Sequence, residues 1–281
     1  SEKENSNGGA KADETKSAKD GKKGDTVAVI VQEVSKWLEG MIKAVEKAAA
    51  GGTGTGDSKI GDVASAAGAG AKADETSVKG IALGIKEIVD AAGKAGGEKA
   101  GGEKAGDVLK DVKEATDKDN ADAGKLFATN ANQQADADAI GKASAAVGAV
   151  SGKQIIKAIV DAAKAGEHAG ANAGAAKNPI AAAIGEANQN GAAFGNDNMK
   201  KDDKIAAAIV LRGLAKDGKF AATDEDGAKS AKGVVENAVV KCMSALTGII
   251  RDSVELGLKK VSDAVQAKGK STPVGSKSNG S

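Results

Sequence analysis

Four aromatic side chains, Trp37, Phe127, Phe194 and Phe220, serve the whole of a 281-residue chain that has no tyrosine. Hydrophobic residues make up 41% of it and aromatics 1%, so the apolar share is mostly alanine. Such a core is built from small side chains. Each buried alanine returns little transfer free energy beside the roughly 1.5–3 kcal/mol of a buried Leu or Ile. Thin alanine-rich helices cannot fill a wide sphere, and alternating β-branched and aromatic runs are missing. The expected fold is all-α, an elongated irregular helical bundle.

Charge and cysteine usage remove several function classes. Lys and Arg number 40 against 39 acidic residues, a formal charge of +1, so no global field draws in nucleic acid or an anionic membrane. The single cysteine, Cys242, forbids an intramolecular disulfide framework and every CxxC-type zinc or redox motif. It lies on a helical apolar face with Val239 and Leu246 and reads as an inert core thiol. No stretch approaches the roughly 18–20 apolar residues of a membrane span, and the polar start reads as a mature or truncated chain without a signal peptide.

Periodicity organises the rest. Residues 1–24 carry none and read as a flexible polar tail, residues 25–266 as a single helical domain, and 267–281 as a second polar tail. Val27, Val31, Val34, Leu38, Met41, Val45 and Ala48 alternate steps of four and three, the seam of an amphipathic helix. Val235, Val239, Cys242, Leu246 and Ile249 answer it, followed after a shift in phase by Val254, Leu258, Val261 and Val265. These two helices are expected to pair antiparallel as a base that brings both chain ends to one pole.

Shorter helices are expected between them. Val78, Ile81, Ile85 and Ile88 mark one; Ser151 with Gln154 matches a capping box; Asn178-Pro179 opens a third. A fourth starts at Asp202 or Asp203 as cap and ends before Gly218. Polar, glycine-rich patches at 51–76, 91–124, 128–140, 164–177, 186–198 and 221–232 read as loops or poorly buried helix ends, pliable inserts with little to bury. Echoes such as "IKEIVDAA" at 85–92 and "IKAIVDAA" at 156–163 have no fixed period, which argues against a solenoid.

No catalytic or metal constellation emerges, and no cofactor is expected. "GGTGTGDSK" at 51–59 lacks the Gly-Lys-Ser/Thr of a P-loop and follows a helix rather than a strand. His168 is the only histidine and reads as solvated. Carboxylate pairs such as Asp202-Asp203 sit where caps belong, and no EF-hand spacing occurs. Lys200, Lys201 and Lys204, with Lys259 and Lys260, read either as solvated faces or as contacts for a sulfated polysaccharide; without interleaved aromatics they do not suggest base stacking.

The longest apolar run lies in "MKKDDKIAAAIVLRGLAKDGKF" at 199–220. Wrapped as a helix, 204–216 leaves Lys204, Arg212 and Lys216 as its charges and spreads Ile205, Ala208, Ile209, Val210, Leu211 and Leu214 round nearly the whole circumference. Such a helix is usually buried. It is expected at the centre of the bundle, walled by 78–92, 152–165, 179–187 and the terminal pair, with Phe220 plugging one end.

That segment resembles the invariable core of the Vmp-like variable surface lipoproteins of Lyme-disease spirochaetes, the VlsE type. "SVKGIALGIKEIVDAA", "KLFATNA", "KNPIAAAIG" and "ALTGIIRDSV" resemble the same family's framework blocks, and the similarity runs from about residue 26 to 265. The resemblance implies a non-enzymatic, lipid-anchored antigen on the outer membrane, with variable loops on its distal surface. Those segments would be rewritten by gene conversion from silent cassettes, so that host antibodies lose their targets. The buried invariable core would comprise Ile205, Ala208, Ile209, Leu211, Leu214 and Phe220. Host antibodies are the implied partners. The alternative is an adhesin that holds a host glycosaminoglycan of the dermatan sulfate type through Lys200, Lys201, Lys204, Lys259 and Lys260. A monomer or weak homodimer is expected, attached to a membrane only through an acylated cysteine that this chain lacks, with no nucleic-acid partner.

Overall fold

A computed structural model describes residues 14–52, 60–64, 68–95, 108–166 and 168–269. Seven α-helices follow in order: α1 Glu14–Gly52, α2 Glu75–Lys94, α3 Ala137–Ala149, α4 Gly152–Lys164, α5 Pro179–Ile184, α6 Asp202–Leu214 and α7 Glu225–Gly269. A 3-10 helix spans Ala121–Phe127, and a two-residue parallel pair joins β1 Val63–Ala64 to β2 Phe220–Ala221. At 1.5 Å per residue, the 45 residues of α7 run for about 67 Å, the long axis of the bundle.

Local chemistry sets the helix starts. The Asp74 carboxylate accepts from Ser77 N at 2.8 Å and opens α2. Ser151 and Gln154 close the capping box from both sides, at 3.2 and 2.9 Å, and open α4. Asn178 accepts from Ala181 N at 2.9 Å, with Pro179 at the first helical position of α5.

α1 pairs antiparallel with α7: Trp37 and Val34 lie against Gly257, whereas Gly61, just past α1, faces Val235. The start of α1 and the end of α7 therefore lie at one pole. α1 has a second antiparallel partner in α2, since Ala48 packs onto Gly84 and the Trp37 indole N–H donates to the Ala91 carbonyl. No room for a Cβ exists at Gly84, so that glycine sets the close approach of the two helices. The base is a three-helix layer, not a pair.

Several expectations change. α3 falls partly in the 128–140 patch and carries no periodic run of large apolar residues, yet it is helical and buries Ala139, Ile140, Ala143, Ala146 and Val147. The 221–232 patch divides between its two readings, a loop to Asp224 and then the first turns of α7 from Glu225. The helical backbone of α1 begins at Glu14, inside the expected tail, and α7 continues to Gly269. Residues 1–13, 53–59, 96–107 and 270–281 lie outside the described residues, and with them most of the glycine-rich "GGTGTGDSK" and the tandem "GGEKA". α7 also contains a window apolar enough to span a membrane, with mean hydropathy 1.4, against the expectation of none. Its Val239, Cys242, Leu246 and Ile249 face is packed in the bundle core.

Candidate functional site

Of the 13 residues in α6, all but Leu214 are buried, and Leu214 is half-buried. Ile205, Ala206, Ala207, Ala208, Ile209, Val210 and Leu211 are each sealed from solvent, as is Phe220 just beyond the helix. α2, α3, α4, α5 and α7 surround it. α1 reaches it only by its end, where Gly52 sits beside the Leu214 carbonyl, and α3 takes the place in the wall expected of α1.

Burying the helix all round also buries its charges. Arg212 is fully buried and, among the described residues, faces no carboxylate. Its Nε donates to the Ala183 carbonyl at 2.9 Å, Nη1 to Phe127 at 3.1 Å and Nη2 to Ala182 at 3.2 Å. Ala182 and Ala183 belong to the last turn of α5, the negative end of that helix dipole. The guanidinium carbon lies 4.7 Å from the centre of the Phe127 ring and 6.0 Å from that of Phe220, within cation–π range. Phe194 closes the group edge-on, 5.5 Å from Phe127. All three phenylalanines of the chain are thus spent around one guanidinium. Burial pushes its pKa down to about 9, which leaves it charged at neutral pH.

The opposite end of α6 holds the complementary sign. Lys201, not an aspartate, stands at the cap position, and Asp202 and Asp203 occupy the first turn, both buried. Asn120 Nδ2 donates to Asp202 Oδ1 at 2.8 Å, whereas Asp202 Oδ2 accepts no hydrogen bond among the described residues. Burial, first of all, raises the pKa of each carboxyl. Glu114 clamps this end from outside, at 2.6 Å from Lys201 and 3.3 Å from Lys204, and its pKa is lowered chiefly by the Lys201 hydrogen bond.

The lysines considered as polyanion contacts are placed as follows. Lys204 is buried, between Glu114 and Asp203 at 3.6 Å. Lys200 faces Asp197 at 3.1 Å, Lys201 faces Glu114, Lys259 pairs with Asp263 at 2.6 Å, and Lys260 is half-buried near the end of α7. The structure brings the first three together on one carboxylate-compensated end of α6 and leaves the other two on α7.

Over α6 lies a layer made of 108–134, 168–178 and 185–201, and it is less pliable than its composition suggests. Thr129 Oγ1 donates to the Glu186 carbonyl at 2.6 Å and accepts from Gln189 N at 2.9 Å. Asn130 Nδ2 donates to Asn190 Oδ1 at 2.7 Å, Gly191 N to the Asn132 carbonyl at 2.9 Å, and Phe194 N to that of Ala121 at 2.9 Å. Thr129, Phe194 and Met199 are buried anchors, while 116–119, 131–133, 174–175, 186–188 and 197–198 are exposed. His168 is buried, contrary to the solvated reading. Its Nε2 lies 2.8 Å from the Ala162 carbonyl and its Nδ1 3.0 Å from Asn178 Nδ2, so the ring ties the end of α4 to the cap of α5. Cys242 is buried, its thiol pushed up to about 12 by burial. Among the described residues no group of three or more His, Cys, Asp or Glu is placed to hold a metal ion.

A family model described as Borrelia lipoprotein matches residues 2–265. The crystal structure of the Lyme disease variable surface antigen VlsE of Borrelia burgdorferi superposes with a TM-score of 0.75 at 46% identity, covering 89% of this chain and 84% of that one. Variable large protein 4 of Borrelia hermsii is 35% identical over 255 residues, 88% of this chain and 67% of its own length. Variable large protein 21 of the same species is 32% identical over 73% of this chain and 54% of its own length. With its all-α fold and these relatives, the chain belongs to the Borrelia lipoprotein family, as a variable surface lipoprotein of the VlsE type.

Proposed function

We propose that this surface antigen serves evasion of host antibody: the exposed stretches of the loop layer are exchanged by segmental gene conversion, while α6 and the anchors beneath them are kept out of reach. The observation that carries this reading is the separation within each polar patch between exposed positions and buried anchors, above a helix with all but Leu214 buried. An exchange confined to 116–119, 131–133, 174–175, 186–188 and 197–198 removes no core contact, so antibody contacts change while the frame holds. Host antibodies are then the partners, the outer membrane the site of display, and no catalysis is involved.

The test is to sequence this gene in clones recovered from an immunocompetent host and from one lacking antibodies. Changes concentrated at the exposed positions in the first host alone, with Thr129, Phe194, Met199 and 202–214 fixed, are the expected result. An unchanged sequence, or changes spread equally over anchors and exposed positions, overturns it. The alternative reading, adhesion to a sulfated glycosaminoglycan, draws on Lys200, Lys201 and Lys259, each of which already faces a carboxylate. No retention on immobilised dermatan sulfate at low salt would end it.

A further inference from the structure

The layer over α6 gathers carboxamides in one place. Asn130, Asn132, Gln133, Asn188, Gln189 and Asn190 come from two distant stretches, 129–133 and 186–191, and Asn172 from a third. Main-chain bonds zip the first two together. The Gln189 carbonyl accepts from the backbone N–H groups of Thr129 at 3.0 Å and Asn130 at 3.2 Å, and the Asn132 carbonyl from that of Gly191 at 2.9 Å. Side chains lock the same pair. Thr129 Oγ1 joins the Glu186 carbonyl to Gln189 N, and Asn130 Nδ2 donates to Asn190 Oδ1 at 2.7 Å and to the Asn188 carbonyl at 3.3 Å. A Cβ on Gly191 would lie 1.6 Å from the Gln133 carbonyl oxygen, so the approach requires glycine there. Asn172 Nδ2 attaches the third stretch, donating to Glu186 Oε2 at 3.2 Å and Gln189 Oε1 at 3.4 Å.

Outside these ties the surface is open: 131–133, 174–175, 186–188 and Asn190 are exposed. Glu186 is the only charge in 129–133, 172–175 and 186–191, although 28% of the whole chain is charged. A surface so poor in charge has no field to steer a polyanion toward it. Recognition there falls to shape and to directional amide hydrogen bonds, the contacts that antibody loops rich in Tyr, Ser, Gly and Asn supply.

We infer that the two zipped stretches are one discontinuous antibody-binding surface, with the Asn172 stretch at its rim, rather than two separate epitopes. The inference rests on the antibody reading above and adds the unit that a paratope reads. An antibody covers about 800 Å² of its antigen, a patch roughly 30 Å across. Chain segments joined by main-chain hydrogen bonds lie only about 5 Å apart. A paratope centred on either stretch therefore takes contacts from both. Because binding energy is concentrated in a few central contacts, exchange within 186–190 alone also discards an antibody whose contacts at 131–133 are unchanged. The main-chain bonds do not depend on the exchanged side chains, so the same platform carries each new set. A free peptide lacks it, since the left-handed backbone of Gln133 at φ 53° and of Asn188 at φ 57° has to be ordered anew on binding.

Monoclonal antibodies raised against the folded full-length chain test this, mapped with Ala131→Lys and Ala187→Lys. Both alanines are exposed, one in each stretch, and neither side chain makes a hydrogen bond, so thermal melting stays unchanged. The expected result is paired sensitivity: most antibodies that lose at least about tenfold in affinity with one change lose comparably with the other. Peptides of 126–135 and 184–193 bind the same antibodies at least about a hundredfold more weakly than the folded chain does. Antibodies that sort into two groups, each sensitive to one change alone, or that bind either peptide as tightly as the chain, overturn the inference. So does a panel in which no member responds to either change. Two-group sorting beside altered sequences in clones from the antibody-competent host leaves the exchange reading standing and removes only this one. Paired sensitivity beside an unchanged gene supports the composite surface and removes the exchange.

Discussion

The guanidinium of Arg212 stacks over the ring of Phe127, 4.7 Å from its centre, and donates to the backbone carbonyl of the same residue at 3.1 Å. One cation thus fixes both the ring and the main chain at the end of the 3-10 helix, while its other nitrogens hold the end of α5. The loop layer follows both elements, through Thr129 on one side and Glu186 on the other. α6 is the post to which the exposed loop layer is tied.

Removing that tie should be costly. Arg212→Ala leaves three buried carbonyls without donors and opens a cavity among three phenylalanines, a loss of about 4 kcal/mol or more. For a chain of this size the melting temperature should fall by about 10 °C. Arg212→Lys keeps the charge but a single ammonium cannot reach all three carbonyls, and about 2 kcal/mol should be lost. Urea denaturation of both variants checks the order; a lysine variant as stable as wild type would show that the fork geometry is immaterial.

Gly185 ends α5 at φ 73°, and a Cβ there would overlap Nη2 of Arg212. Gly185→Ala combines left-handed strain with that clash and should cost about 2–3 kcal/mol. In an Arg212→Ala background the clash disappears and only the strain of about 1 kcal/mol remains. A double-mutant cycle in urea measures the difference, and strictly additive losses would remove Arg212 from the explanation.

Helices with branched aliphatics at helical spacing were legible in the sequence: α2 from Val78, Ile81, Ile85 and Ile88, α4 and α5 from their caps, α6 from its apolar circumference. α3 was not. Its only large apolar residues are Ile140 and Val147, so its buried face is written in alanine, which looks the same on a core face as on an exposed one. The first turns of α7 were hidden likewise by Glu225, Asp226 and Gly227. The loop anchors escaped for another reason: Thr129, Phe194 and His168 act singly, and a lone residue has no period. The clue available for Arg212 was its isolation on an apolar helix in a chain with three phenylalanines.

Two sets of carboxylates at the start of α6 should oppose each other in pH dependence. Asp202 and Asp203 have folded-state pKa values raised above their ordinary 3.8, so their contribution is fully present below 3.8 and is lost as pH rises through the raised values. Glu114, lowered from 4.5, contributes stability present above 4.5 that is lost as pH falls through its depressed value. Asp203→Asn should therefore gain stability relative to wild type at neutral pH and lose that advantage as pH approaches 3.8. Glu114→Gln, which strips Lys201 and buried Lys204 of their shared carboxylate, should be destabilised at neutral pH and converge with wild type in acid. Urea midpoints between about pH 7 and about pH 3 give both signs; an Asp203→Asn variant that is less stable at neutral pH would mean that its pairing with Lys204 outweighs burial.

Antibody raised against a peptide of residues 200–219 should separate the folded from the unfolded chain. In the folded molecule only Lys216 and Asp217 of that stretch are exposed, with Lys200, Lys201, Leu214, Gly218 and Lys219 half-buried, too little contiguous surface for an epitope, and 202–213 becomes reachable only when the bundle opens. Native proteins open globally in a fraction of about 10⁻³ to 10⁻⁶ of molecules. Binding to the native chain in solution should accordingly be at least about a hundredfold weaker than to the denatured chain. Leu211→Asp places an unpaired charge where Leu211 is sealed from solvent, and should raise native-condition binding toward the denatured level by unfolding the core. Equal binding of wild-type native and denatured protein would place α6 at the surface and remove the physical basis for its protection.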